Sequence, residues 1–247
     1  MLLRIAMLLL LTAQLRAADR SPETKADNGV AELEGTWKLI SIEANGEAVD
    51  MSGNQPRWVI KGDKVLYGGD ELAVLTADPS ATPKLLDTQF LNPKRVFEAI
   101  YAIEQDTLKI CLNKQTEGVK ERPQVLSTKD HENWRFLVFE REHSDANANE
   151  GLTGFVGVAL RLDAERQEVI VNEALGDSPA QKAGLKKDDV VLKIAGGEVT
   201  TLRSAVEAVR CTRPRTNLVF HVRRDGKETD ITVKVGVLPF SAVAGLD

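Results

Sequence analysis

Between Trp37 and Arg141 the chain carries no apolar stripe long enough for a helix, and that excludes most folds at once. It carries instead a succession of short apolar–polar runs cut by turn signals. "WKLISIE" alternates across Trp37, Leu39 and Ser41, and the following Asn45-Gly46 is a hairpin turn. Further strands are predicted over residues 57–60, 64–67, 71–76, 84–90, 95–103, 107–112, 124–127 and 134–141. Lys61-Gly62-Asp63, Gly68-Gly69-Asp70, Asn92-Pro93 and Gln105-Asp106 separate them. Many short strands with no helix between them build an antiparallel sandwich or a meandering barrel.

The sequence ahead of this region has a different character. Arg4 is followed by an apolar run from Ile5 to Leu11 and then by small residues at Ala13, Ala17 and Ala18. That is the order of a secretory signal, with cleavage expected at residues 17–18 and no span long enough to hold the mature chain in a bilayer. Residues 1–18 are therefore expected to be a signal peptide and 19–31 a disordered tether. Residues 32–142 are expected to form the barrel and 143–150 ("HSDANANE") a polar linker. The barrel half is acidic and the rest is not: residues 19–150 hold 16 basic and 24 acidic side chains, residues 151–247 hold 14 and 13. Neither balance suits a nucleic-acid partner. Cys111 and Cys211 fall in different halves and are expected as separate, at least partly buried thiols. His131, His143 and His221 lack metal-ligand spacing, so no metal or other cofactor is expected. Asp87, Glu98 and Lys109 are candidate polar groups inside a barrel cavity, although solvent-facing strand positions explain them more simply.

Beyond residue 150 the pattern changes. Residues 155–162 and 168–173 are predicted strands, and "GDSPAQKAGL" spells one short helix. Ser178 is its N-cap, Pro179 its first position and Gly184 its left-handed exit. "DDVVLKI" follows as a buried strand. Leu202, Ala205, Val206 and Val209 then form an i, i+3, i+4, i+7 stripe on a second helix capped by Thr201. Two alternating strands around Asp225-Gly226 close this region over residues 151–239, with 240–247 as a tail.

Two resemblances follow from these segments. "LEGTW", "DTLKICLN" and "FLVFERE" resemble a lipocalin-like domain of exported bacterial proteins, best known from planctomycetes. In such barrels a Gly-x-Trp tryptophan closes one end, which here implies Trp37 covered by Arg141. "GFVGV", "GDSPAQKAGLKKDDVVLKI" and "VRRDGKETDITVKV" resemble the PDZ domains of bacterial envelope proteases. The expected fold is thus mainly β with a small α+β domain: an N-terminal lipocalin-like antiparallel β-barrel, then a PDZ domain of five to six strands with two helices.

The PDZ resemblance implies a carboxylate-binding loop at Phe155, Val156, Gly157 and Val158. It also implies a peptide groove lined by Leu160, Leu202, Ala205, Val206 and Val209, with apolar tails preferred because Leu202 stands where many such domains place a His. The expected partners are C-terminal tails of exported or envelope proteins, bound by a non-catalytic periplasmic or secreted protein. No Gly-x-Ser-x-Gly or comparable nucleophile setting accompanies the histidines. The alternative is a carrier of a small apolar ligand in the barrel, with the PDZ domain for localisation. The tail "LPFSAVAGLD" is a candidate to fill the groove in cis.

Overall fold

The computed structural model describes residues 29–51, 55–115, 121–143 and 151–246. The expected signal peptide, most of the tether and all but His143 of the linker lie outside them. The tether gives way to folded structure before its expected end, because Val30 is buried and Ala31–Leu33 form a 3-10 turn.

Nine antiparallel strands make the N-terminal unit: β1 (Gly35–Ala44), β2 (Glu47–Asp50), β3 (Arg57–Lys61), β4 (Lys64–Tyr67), β5 (Asp70–Asp78), β6 (Lys84–Leu91), β7 (Lys94–Glu104), β8 (Thr107–Asn113) and β9 (Trp134–Glu142). Each pairs with its sequence neighbour from β3 to β9, and β1 pairs with both β3 and β9, so eight strands close into a barrel with β2 as a hairpin arm on β1. Closure leaves the barrel ladder no open edge, which is how a meander of short strands avoids pairing with other chains. The strand expected at 124–127 is a bend instead. β8 and β9 pair directly from Thr107↔Glu140 to Asn113↔Trp134, leaving no ladder for it to join. That loop is tied down from outside by Arg122, which donates to Ala99 O at 2.7 Å and to Asp87 Oδ1 at 2.6 Å.

Both ends of the barrel are shut, and by different means. At the end where β1 begins and β9 finishes, Leu33 is buried and its carbonyl accepts from Trp37 Nε1 at 2.7 Å. Arg141 lies over the Trp37 ring, its Cζ 4.0 Å from the ring centroid, and donates to Glu34 O at 2.6 Å. At the opposite end, where β4 and β6 finish and β7 begins, the chain's own C-terminal segment enters. Helix α3 (Phe240–Ala244) places the Phe240 ring 4.9 Å from Trp58, 5.6 Å from Tyr67 and 6.4 Å from Phe90. Ala244 and Leu246 are buried with it, and Arg95 Nη1 donates to Leu246 O at 3.2 Å.

The C-terminal unit has one six-stranded sheet, in the order β11 (Val158–Asp163), β12 (Glu168–Ala174), β13 (Val190–Ile194), β15 (Asn217–Arg224), β16 (Lys227–Lys234), with β14 (Gly197–Glu198) added to β13. A short separate pair joins β10 (Gly154–Phe155) to β17 (Gly236–Val237). Helices α1 (Pro179–Ala183) and α2 (Leu202–Arg210) cover this sheet, and Val169, Val171, Val191, Phe220, Val222 and Val233 are its buried centre. Asp189 is fully buried and held by both its oxygens: Arg224 forks onto it at 2.6 and 2.7 Å, and the Lys186 N–H donates at 2.8 Å. Breaking either contact would leave the buried carboxylate without one of its partners, which is costly.

Two expectations need correction here, for Cys211 and for the tail, while Asp87, Glu98 and Lys109 take the solvent-facing positions that explain them more simply. Cys211, the residue that ends α2, is exposed, because a helix C-cap at the surface leaves its side chain no core to enter; Cys111 is buried, and both are free thiols. Asp87, Glu98 and Lys109 are partly exposed and reach other charged side chains, Arg122 for the carboxylates and Glu104 for the lysine, so they belong to the outer face of the barrel. Strand alternation decides this, since their neighbours Leu86, Phe97, Ala99, Leu108 and Ile110 take the inner positions. The tail, finally, puts Phe240, Ala244 and Leu246 into the barrel and not into the groove.

Candidate functional site

The site begins with one glycine. Gly157 has φ +69, and a Cβ there would sit 2.4 Å from Ser178 Cβ. Only glycine lets the loop turn left-handed while pressing against Ser178, the N-cap of α1, whose hydroxyl accepts from the Gln181 N–H at 3.2 Å. In the loop the carbonyls of Val156 and Gly157 are spoken for: Val156 O accepts from Ala180 N–H at 2.8 Å, and Gly157 O from Leu175 N–H at 2.9 Å. Their N–H groups are not. Among the described residues, no backbone carbonyl takes those of Val156 or Gly157. Val158 pairs with Ala174 beside the Leu175–Gly157 bond, and in an antiparallel ladder a residue so placed points its N–H away from the partner strand.

The Val158 N–H therefore faces the one side of β11 that carries no strand among the described residues, and the free N–H groups of Val156 and Gly157 lie in the loop that leads into it. β11 is the edge of its sheet, with β12 on one flank only. The C-terminal half of α2 faces that open flank and leaves a groove of about 170 Å³ between helix and strand. Val158, Leu160, Ala205, Val206 and Val209 line it, together with Phe155, Val156 and Gly157 of the loop. The helix is well set for this: Thr201 caps it by accepting from Ser204 N–H at 3.0 Å, and Gly154 brings β10 within contact of the Val209 carbonyl, where a Cβ would come to 2.4 Å. Leu202 lies outside that lining, one turn earlier on the same stripe and 38% exposed. Four lining residues carried no signal in the stripe or the loop: Thr153, Leu175, Arg210 and Leu238. Leu238 reaches the groove because β17 runs beside β10, and its N–H donates to Thr153 O at 2.9 Å.

Residues 154–235 match the family model of the PDZ domain. The C-terminal unit is a PDZ domain. Across it the chain is 38% identical over 96 residues to a probable periplasmic serine endoprotease, DegP-like, of Chlamydia pneumoniae, which takes in 35% of this chain and 20% of that protein. It is 31% identical over 98 residues to a probable CtpA-like serine protease of Staphylococcus haemolyticus, covering 38% of this chain and 20% of the relative. The chain thus spans about a fifth of the length of the curated relatives it matches. Among solved structures, the PDZ domain of HtrA3 bound to a phage-derived ligand aligns at 21% identity over 35% of this chain and 88% of that one, with a TM-score of 0.32.

The cysteine, tyrosine and histidine side chains elsewhere have the following surroundings. Burial pushes the Cys111 thiol up to about 12, and likewise the Tyr67 hydroxyl up to about 12. His131 stacks on Trp134 at 3.6 Å, and His143 Nε2 lies 3.0 Å from Asp106. His221 stands between Asp230 at 2.6 Å and Glu228 at 3.0 Å, and hydrogen bonds to the two carboxylates, Asp230 foremost, raise its pKa.

Several sets of contacts join the PDZ domain to the barrel, two of them at the β4–β5 turn. Arg215 donates to Gly68 O and, at 3.0 Å, to Asp70 Oδ2. Leu152 and Val237 pack against the barrel core and against Gly68 of the β4–β5 turn.

Proposed function

We propose that this protein is a non-catalytic, exported binding protein whose PDZ domain captures apolar C-terminal peptide tails. One observation carries the proposal. An edge strand with an open flank follows a loop whose N–H groups no backbone carbonyl takes, beside an apolar groove. A peptide that lies along β11 continues the sheet through its backbone, and the groove takes alternate side chains. Its terminal carboxylate comes to rest against the N–H groups of residues 156–158, which form a nest for an anion.

Two further observations support the rest. Among the described residues no serine or cysteine side chain is hydrogen-bonded to His131, His143 or His221, and the buried thiol is far from ionising, which supports a protein that binds and does not cleave. The relatives from three Chlamydia species bear the description periplasmic, which supports an envelope location for this chain. For the barrel, the seated Phe240 favours a supporting role over that of an apolar carrier, since the chain's own tail takes the end opposite Trp37 and Arg141.

The test uses the full chain and fluorescein-labelled hexapeptides ending in valine, leucine or phenylalanine, each as the free acid and as the amide. Polarisation should rise at much lower protein concentration with the acids than with the amides. Equal binding of acid and amide would overturn the carboxylate role of the loop.

A further inference from the structure

The groove is apolar apart from one charge. Among the described residues that line it, Arg210 is the one ionic side chain, and it sits in the last turn of α2. Several arginines of the PDZ domain, by contrast, have carboxylate partners. Arg203 of the same helix meets Glu207 at 2.8 Å, Arg161 of β11 meets Asp188 at 3.3 Å, and Arg223 and Arg224 hold Glu168 and Asp189. The Arg210 guanidinium has no hydrogen bond or ion pair among the described residues, although Glu207 lies one turn away. What sets Arg210 apart is its place: it is the one full charge on an otherwise apolar lining.

Its position along the groove is informative. α2 ends beside β10, because Gly154 is in contact with the carbonyls of Val209 and Thr212. β10 leads directly into residues 156–158. Arg210 and the loop's N–H groups therefore stand at the same end of the groove, and Leu202, at the other end of the helix, points to where the rest of a peptide would run.

We infer that Arg210 is the specificity residue for the ligand's charge: it pairs with the terminal carboxylate that the N–H groups of residues 156–158 receive. This rests on the peptide-binding role proposed above and adds to it. The N–H nest alone offers partial charges, which a neutral amide oxygen also satisfies in part. A guanidinium adds a full charge and makes the distinction between acid and amide a matter of Coulomb energy. Because Arg210 is exposed, the pair is screened by salt, and its contribution is that of a partly solvated ion pair.

The experiment compares the full-length wild type with Arg210→Gln and Arg210→Lys, using the same valine-ended acid and amide hexapeptides at low and high sodium chloride. In Arg210→Gln the acid should bind about fivefold more weakly, with residual amide binding unchanged. The salt dependence of acid binding should flatten in that variant. Arg210→Lys should recover most of both, since it keeps the charge. Acid binding that is untouched in Arg210→Gln overturns the inference, and so does an equal loss for acid and amide, which would mark the side chain as apolar packing only. Both results would leave the peptide-binding role standing. Failure of that role shows in the wild type alone, as no binding or as equal binding of acid and amide, and it removes this inference with it.

Discussion

Phe240 should decide whether the C-terminal segment belongs to the barrel or merely touches it. Its ring is 1% exposed and lies within aromatic contact distance of Trp58, Tyr67 and Phe90. Truncating a buried phenylalanine to alanine costs about 3–5 kcal/mol, from lost transfer energy and the cavity left behind. The lower part of that range applies here, because the segment follows the last strand and can lift out instead of leaving an empty space. A loss of about 3 kcal/mol lowers the melting temperature of a unit this size by about 10 °C. The assay reads the barrel selectively: Trp37, Trp58 and Trp134 all lie in it, as do Tyr67 and Tyr101, and the PDZ domain has neither residue type. Intrinsic fluorescence therefore follows barrel unfolding without a contribution from the other unit. In Phe240→Ala the native emission should also shift to the red, as Trp58 loses its cover, and residues 239–246 should become susceptible to protease before either unit melts. Unchanged melting together with unchanged emission would refute the seating of α3 in the barrel end.

Gly157→Ala should destabilise the PDZ domain by about 2 kcal/mol or more, since alanine resists the left-handed φ and its Cβ meets Ser178; urea unfolding followed by circular dichroism measures it, and acid-peptide binding should fall with it. Ellman's reagent should titrate one thiol in the native protein and two after denaturation, because Cys211 is exposed and Cys111 is buried with its ionisation suppressed; two fast thiols in the native state would contradict the burial. The pairing of His221 with Asp230 and Glu228 raises its pKa above the unfolded value near 6.5, so its contribution is complete below that pH and is lost as pH rises through the folded value. Calorimetry across pH 5 to 8 should show the PDZ transition weakening toward the alkaline side, and His221→Gln should remove that slope.

The features legible in the sequence were those with local physical causes. Ser178, Pro179 and Gly184 mark α1 because a cap hydroxyl, a fixed φ and a left-handed exit are properties of single residues. The stripe on α2 and the alternation in β6 and β7 are similarly local, as they follow from helix and strand periods. The loop at residues 155–158 was legible through two glycines, although nothing nearby in sequence says that Ser178 is the atom pressing on Gly157. What stayed hidden depends on distant partners. Residues 124–127 have the composition of a strand and lack one only because β8 and β9 already pair with each other. Arg210 follows the stripe by one position and looks like an ordinary charge at a helix C-terminus until β10 is seen to pass beside it. The tail shows the same limit most plainly. Its apolar residues announce that 238–246 must be buried somewhere, and both an apolar groove and a barrel end would accept a phenylalanine and a leucine. The choice is made by the backbone: the β10–β17 pairing fixes Val237 beside Gly154, and Tyr67 donates to the Leu238 carbonyl at 3.1 Å, so the chain is aimed into the barrel within two residues of leaving the sheet. Leu238 is then the only tail residue among those described that lines the groove, and β11 keeps its open flank for a strand from another chain.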